Sequence, residues 1–282
     1  MISSMRHVCL TLCLFLVAAS CKQHSESSEK AVDTPVIAST QSPLLWTDAE
    51  LEAEAGEEDW SEELFDDFLY NYIQDTVLQH ERVAFPLQEI LPDGSVSQIS
   101  EDDWNEDLYL TPADYTTALY NNEAEMSINE DTALVSASVA RINLEQETIK
   151  SYDFLRRNAR WNLVAIRNLS FLNSDLKDFL QFYSRFATDT IFRNNSLASS
   201  IHVSMTDPDD ESQSIDGFIN REQWPTISPE LPAGIIMNIR YGQQYLHSKR
   251  LMMEKTSIGD GMSEVFSFAK GNRGWELVGY EN

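Results

Sequence analysis

The chain carries one segment twice. Phe65-Asp66-Asp67-Phe68-Leu69-Tyr70-Asn71-Tyr72-Ile73-Gln74-Asp75-Thr76 aligns with Phe179-Leu180-Gln181-Phe182-Tyr183-Ser184-Arg185-Phe186-Ala187-Thr188-Asp189-Thr190, about 114 residues further on. The same offset returns downstream, where Tyr152, Phe154, Trp161, Leu163 and Val164 match Phe266, Phe268, Trp275, Leu277 and Val278. Two separate matches at one spacing predict a tandem duplication. Each copy is long enough to bury its own apolar core.

The N-terminus reads as a targeting segment. Arg6 precedes an apolar run from Val8 to Ala19, too short to span a bilayer as a helix. The run closes on Ala18-Ala19-Ser20-Cys21, which resembles the lipobox of bacterial lipoproteins. That resemblance implies cleavage before Cys21, removal of residues 1–20, and lipidation (palmitate among the acyl groups) of Cys21. Cys9, Cys13 and Cys21 are the only cysteines. Downstream of Cys21 there is therefore no disulfide, thiolate metal site or cysteine nucleophile, and stability must come from buried apolar area.

With 46 acidic against 20 basic residues the formal charge is −26. Such a chain is repelled by nucleic acid and by anionic lipid heads, so a nucleic-acid partner is excluded. Membrane association is expected through the lipid alone. Residues 21–57 read as an acidic tether without apolar periodicity, containing Pro35 and Pro43.

Within the first copy, residues 58–170, Leu64, Phe65, Phe68, Leu69, Tyr72 and Ile73 share one helical face, with Asp59 as an N-cap. In the second copy, residues 171–282, the matching face is Leu176, Phe179, Leu180, Tyr183, Phe186 and Ala187, and Asn173 or Ser174 is the cap. Asp75-Thr76 and Asp189-Thr190 stand where each first helix should stop, and capping of a second short helix explains the shared carboxylate. Strands are expected over 83–91, 96–99, 134–144, 149–155 and 161–166 in the first copy. In the second they are expected over 235–241, 249–256, 262–269 and 275–280. Helices followed by an antiparallel sheet give an α+β order.

Two helices, a broken hairpin and long strands ending in Trp161-Asn162-Leu163-Val164 and Trp275-Glu276-Leu277-Val278 resemble the nuclear-transport-factor-2-like superfamily. Together with the lipobox they look like an uncharacterised family of tandem-domain lipoproteins from Gram-negative bacteria. The resemblance implies two tandem cone domains, each with N-terminal helices packed on a curved antiparallel sheet around a pocket. It also implies an outer-membrane lipoprotein facing the periplasm or the cell surface, and a monomer in which the two cones form an internal pseudo-dimer.

Motifs for chemistry are few. His80, His202 and His247 lack metal-ligand spacing, and no nucleophile elbow or phosphate loop is present. Asp207-Pro208-Asp209-Asp210-Glu211 lacks the glycine of a calcium loop and reads as an exposed acidic loop. No catalytic residue, metal or cofactor is therefore expected. Matched aromatics are usually core; if the cones keep open pockets, the candidate ligand-binding residues are Tyr72, Trp104 and Trp161 in one and Phe186, Trp224 and Trp275 in the other. The expected role is binding of a small apolar or glycan-like molecule or of another envelope protein. The alternative is a hydrolase, dehydratase or isomerase using a carboxylate–Tyr pair inside one cone.

Overall fold

Apolar side chains spaced three or four residues apart decide where the helices lie. Helix α1, Phe65–Gln74, buries Phe65, Phe68, Leu69 and Tyr72. Helix α3, Lys177–Thr188, buries Phe179, Leu180, Tyr183, Phe186 and Ala187. Each first helix ends at an aspartate that starts the next. Asp75 Oδ1 accepts the Val77 and Leu78 amides at 2.9 and 3.2 Å to open α2, Thr76–Glu81. Asp189 Oδ1 accepts the Ile191 and Phe192 amides at 2.9 Å to open α4, Thr190–Asn195. These two carboxylates are caps.

The computed structural model describes residues 63–105, 114–207 and 210–282. All belong to one compact unit, Thr47–Asn282. Cys21, the segment 1–20, the tether 21–57 and Asp59 lie outside the described residues.

After α2 come strands β1 (Val83–Ile90), β2 (Val96–Ile99), β3 (Tyr115–Tyr120), β4 (Ser136–Asn143), β5 (Thr148–Arg157) and β6 (Arg160–Ser170). After α4 come β7 (Leu197–Asp207), β8 (Asp210–Asn220), β9 (Ile235–Arg240), β10 (Arg250–Ser257), β11 (Ser263–Gly271) and β12 (Gly274–Glu281). Two helices and six strands thus occur twice in the same order. Strand β3 and the β7–β8 hairpin are absent from the strands expected above. Asp207 and Asp210 lie at the tip of that hairpin.

Instead of two separate sheets, the strands form one 12-stranded sheet in the order β2-β1-β6-β5-β4-β9-β3-β10-β11-β12-β7-β8. Had each copy closed on itself, β3 would lie beside β4, and β9 beside β10. Their places are exchanged: β4 pairs with β9 and β10 with β3. The flanking loops follow the same symmetry, with Leu144 N donating to Gly234 O at 2.9 Å and Ile258 N to Asp114 O at 3.0 Å. At the crossing, β3 and β9 run parallel through Thr117↔Asn238 and Ala118↔Ile239. Thr117 Oγ1 donates to Met237 O at 3.0 Å and to Asn238 Oδ1 at 3.2 Å, so the buried polar pair at the centre of the sheet is satisfied.

Successive residues of a strand point to opposite faces, and the exchanged strands serve both cores. Ala118 and Tyr120 of β3, with Met237 and Ile239 of β9, join the core around Phe65, Phe154 and Trp161. Leu119 and Ile236 join the other core, around Phe179, Phe268 and Trp275. The two helix layers therefore cover opposite faces of the central strands.

Candidate functional site

Where α1 crosses the exchanged strands, a cavity of about 870 Å³ remains. Asp66, Leu69, Tyr70, Ile73 and Gln74 of α1 form one wall. Thr116, Thr117, Ala118 and Tyr120 of β3, Ile239 and Tyr241 from β9 and its end, and Glu254 of β10 form the other. Thr256, Ser257, Ile258, Gly259 and Ser263, with Asp114, lie toward the mouth, and Asn129 lies beside Asp66. Residues from both copies meet here because of the exchange: β9 and β10 belong to the second copy, α1 and β3 to the first.

Two tyrosine–carboxylate pairs stand at the base. The Tyr241 hydroxyl donates to Asp66 Oδ1 at 2.7 Å, and Asn129 Nδ2 donates to Asp66 Oδ2 at 3.2 Å. Across the β3–β10 ladder the Tyr120 hydroxyl donates to Glu254 Oε2 at 3.2 Å. Both tyrosines are buried while both carboxylates are half-buried. Burial, then the Glu254 carboxylate and its hydrogen bond, push the Tyr120 hydroxyl well above its ordinary range. Burial and then Asp66 do the same to Tyr241. At neutral pH both phenols keep their protons and act as donors. No Lys, Arg or His lines the cavity among the described residues.

The equivalent place in the second copy is a dent of about 310 Å³ lined by Leu144, Glu145, Ser184, Arg185, Thr188 and Gly234. Leu144, Glu145, Ser184 and Thr188 are the repeat partners of Ile258, Gly259, Tyr70 and Gln74 in the larger cavity. Its interior is filled. Leu180 stands at the position of Asp66 and is fully buried, and Ala140 stands at that of Glu254. Tyr183, the partner of Leu69, extends its hydroxyl to Pro232 O at 2.9 Å. One copy has a polar cavity where the other has core.

The six aromatic candidates from the sequence lie elsewhere. Tyr72 packs on Phe68 and Phe154, and Trp161 on Phe65 while its Nε1 donates to Glu63 O at 3.0 Å. Phe186 and Trp275 sit in the cluster of Phe179, Phe182 and Phe268. Trp224 packs edge-on to Tyr280, and half-buried Trp104 to Phe85. None of the six lines the large cavity. His202 pairs with Asp216 at 2.6 Å on the β7–β8 hairpin, and His80 faces Glu101 at 3.6 Å, both apart from the cavity.

The fold and the helix-over-sheet cavity define a nuclear-transport-factor-2-like α+β protein. A solved structure of an NTF2-like protein from Bacteroides fragilis NCTC 9343 is similar at 32% identity and a TM-score of 0.71, covering 80% of this chain and 98% of its own. Residues 47–282 match the domain of unknown function DUF4348, and the chain belongs to that family. No curated protein matches it.

Proposed function

We propose that this chain is a non-catalytic binding module of the bacterial envelope that takes a small molecule into the cavity floored by Tyr120 and Tyr241. The observation that carries the reading is the contrast between copies, a cavity of about 870 Å³ lined by Asp66, Tyr120, Tyr241 and Glu254 in one and a dent of about 310 Å³ without those groups in the other. Leu69, Ile73, Ala118, Ile239 and Ile258 supply apolar wall, while the hydroxyls and carboxylates supply a few convergent polar contacts. In this reading two cone domains are fused as an internal pseudo-dimer, and the lipobox at Cys21 tethers them to the membrane as an outer-membrane lipoprotein.

Binding is favoured over turnover because both phenols already donate into the protein's own carboxylates. A hydroxyl so engaged is not aimed at a developing oxyanion. The same pairs are what favours the second reading, a hydrolase, dehydratase or isomerase that would use a carboxylate–Tyr pair.

The test is calorimetric titration with a small neutral aromatic alcohol, 2-phenylethanol. It should bind the wild type and not Thr116→Trp, a variant that fills the cavity from a half-buried wall position. Equal binding by both proteins would remove the cavity from the function. Incorporation of labelled palmitate, lost on Cys21→Ala, tests the anchor.

A further inference from the structure

We infer that the cavity selects organic cations: its ligand carries an ammonium group that sits between Asp66 and Glu254, with an apolar body against Leu69, Ile73, Ala118 and Ile239. This rests on the cavity being a binding site, as argued above, and adds the charge and shape of what binds.

The wall carries Asp66, Asp114 and Glu254 and, among the described residues, no Lys, Arg or His. Asp66 and Glu254 approach the base from opposite walls, α1 and β10, and only neutral donors are in place on them: Tyr241 and Asn129 on Asp66, and Tyr120 on Glu254. The mutual influence of Tyr120 and Tyr241 with both carboxylates places the four groups in one cluster. A phenol donor satisfies one lone pair of a carboxylate without cancelling its charge. An ammonium has three donors and no acceptor, so it can bond both carboxylates and neutralise what the tyrosines leave. A carboxylate or phosphate ligand meets repulsion from Asp66, Asp114 and Glu254 with no cation to offset it. A neutral polyol can bond the same oxygens but gains no charge term. The low dielectric around the buried phenols strengthens that term over its value in water.

Apolar area beside the charges sets the second half of the class. Half-buried Ile73 and well-buried Leu69, Ala118 and Ile239 face the same space. Exposed Tyr70 at the rim presents a ring that can also lie over a cation. A compact hydrophilic polyamine would leave this wall uncovered, whereas an aryl- or alkyl-ammonium covers it.

Three probes of one size and shape separate the possibilities: phenethylamine, 2-phenylethanol and phenylacetate, titrated calorimetrically at neutral pH into the full chain. The amine should bind at least about tenfold more tightly than the alcohol, and the acid should not bind. That advantage should shrink as salt is raised, a measurement that needs no variant. The Asp66→Asn, Glu254→Gln double variant, with an unchanged melting temperature as its control, should abolish both the amine's advantage over the alcohol and its salt dependence. Amine and alcohol binding equally, in any salt, would overturn the cation inference and leave the cavity's binding role standing. If no probe binds, the binding role falls with it.

Discussion

Tyr241 follows Asp66 by 175 residues, yet its hydroxyl lies 2.7 Å from the Asp66 carboxylate. The contact exists because β9 is inserted beside β4, within the first copy's half of the sheet, and its continuation passes beneath α1. Strand exchange and the polar cavity are thus one structural fact. A duplicated chain whose sheets closed separately would not bring Tyr241 under α1.

The repeat gives a reciprocal pair of substitutions. Asp66→Leu installs the residue found at position 180 but takes the acceptor from the Tyr241 hydroxyl and the Asn129 amide, so it should cost only about 1–2 kcal/mol at the cavity wall. The reverse, Leu180→Asp, buries a carboxylate in a fully packed core with no cation or donor set for it. It should cost more than about 4 kcal/mol, enough to unfold a marginal domain. Chemical denaturation of both variants checks the asymmetry. Equal losses would mean the two positions are not core and cavity.

Much of this was legible in the chain. The faces of α1 and α3, the Asp75 and Asp189 caps and nine of the strands follow from apolar spacing and turn residues. Strand β3 escapes because Thr117, Ala118, Leu119 and Tyr120 are all buried, so the alternation that marks a one-sided strand is lost. The exchange escapes for a deeper reason: backbone hydrogen bonds do not distinguish which copy supplies the partner strand. The site was hidden in plain view. Asp66 lies in an acidic run beside Asp67, and only its alignment with buried Leu180 marks it as cavity rather than solvated surface. The matched aromatics, Tyr72 and Trp161 among them, pack in the shared core, whereas the cavity is lined where the copies differ.

Capping gives a small and additive effect. Asp75→Ala and Asp189→Ala each remove a side chain that accepts two amides, and each should cost about 1 kcal/mol. The two exposed caps lie on different helix pairs, one packed on each core, so the double variant should equal the sum to within about 0.5 kcal/mol. Denaturation midpoints of the singles and the double test this. A loss of ligand binding without loss of stability would assign the aspartates another role.

Alkaline pH should unfold the protein cooperatively. Burial, first among the causes, raises the hydroxyls of Tyr120, Tyr183, Tyr241, Tyr245 and Tyr280 above their ordinary value of about 10. A raised folded-state value means that stability is complete below the unfolded value and is lost as pH climbs past it. Above pH ~10 the unfolded chain releases protons that the folded chain keeps. Each such tyrosine then removes about 1.4 kcal/mol per pH unit. Ultraviolet titration should show these five ionising together with loss of near-ultraviolet circular dichroism. Smooth ionisation of all ten tyrosines in a protein that stays folded would contradict this account.

The halves should not fold apart. In a fragment spanning 58–170, β3 lacks both its neighbours, β9 and β10, and β4 lacks β9. Ala118 and Tyr120 would also lose the strand partners that hold them against Phe65 and Phe154. In a fragment spanning 171–282, β9 loses β4 and β3, and β10 keeps only β11. Each fragment would expose three strand edges from what was the centre of a sheet, a template for pairing with any other chain. Expressed alone, each should aggregate or pair with itself, and co-expression should recover a soluble one-to-one complex with the exchanged order. Light scattering after size exclusion reads the outcome. Two folded, soluble monomers would show that β3 can turn back onto β4, and the exchange would then be a choice of the joined chain rather than a condition of its folding.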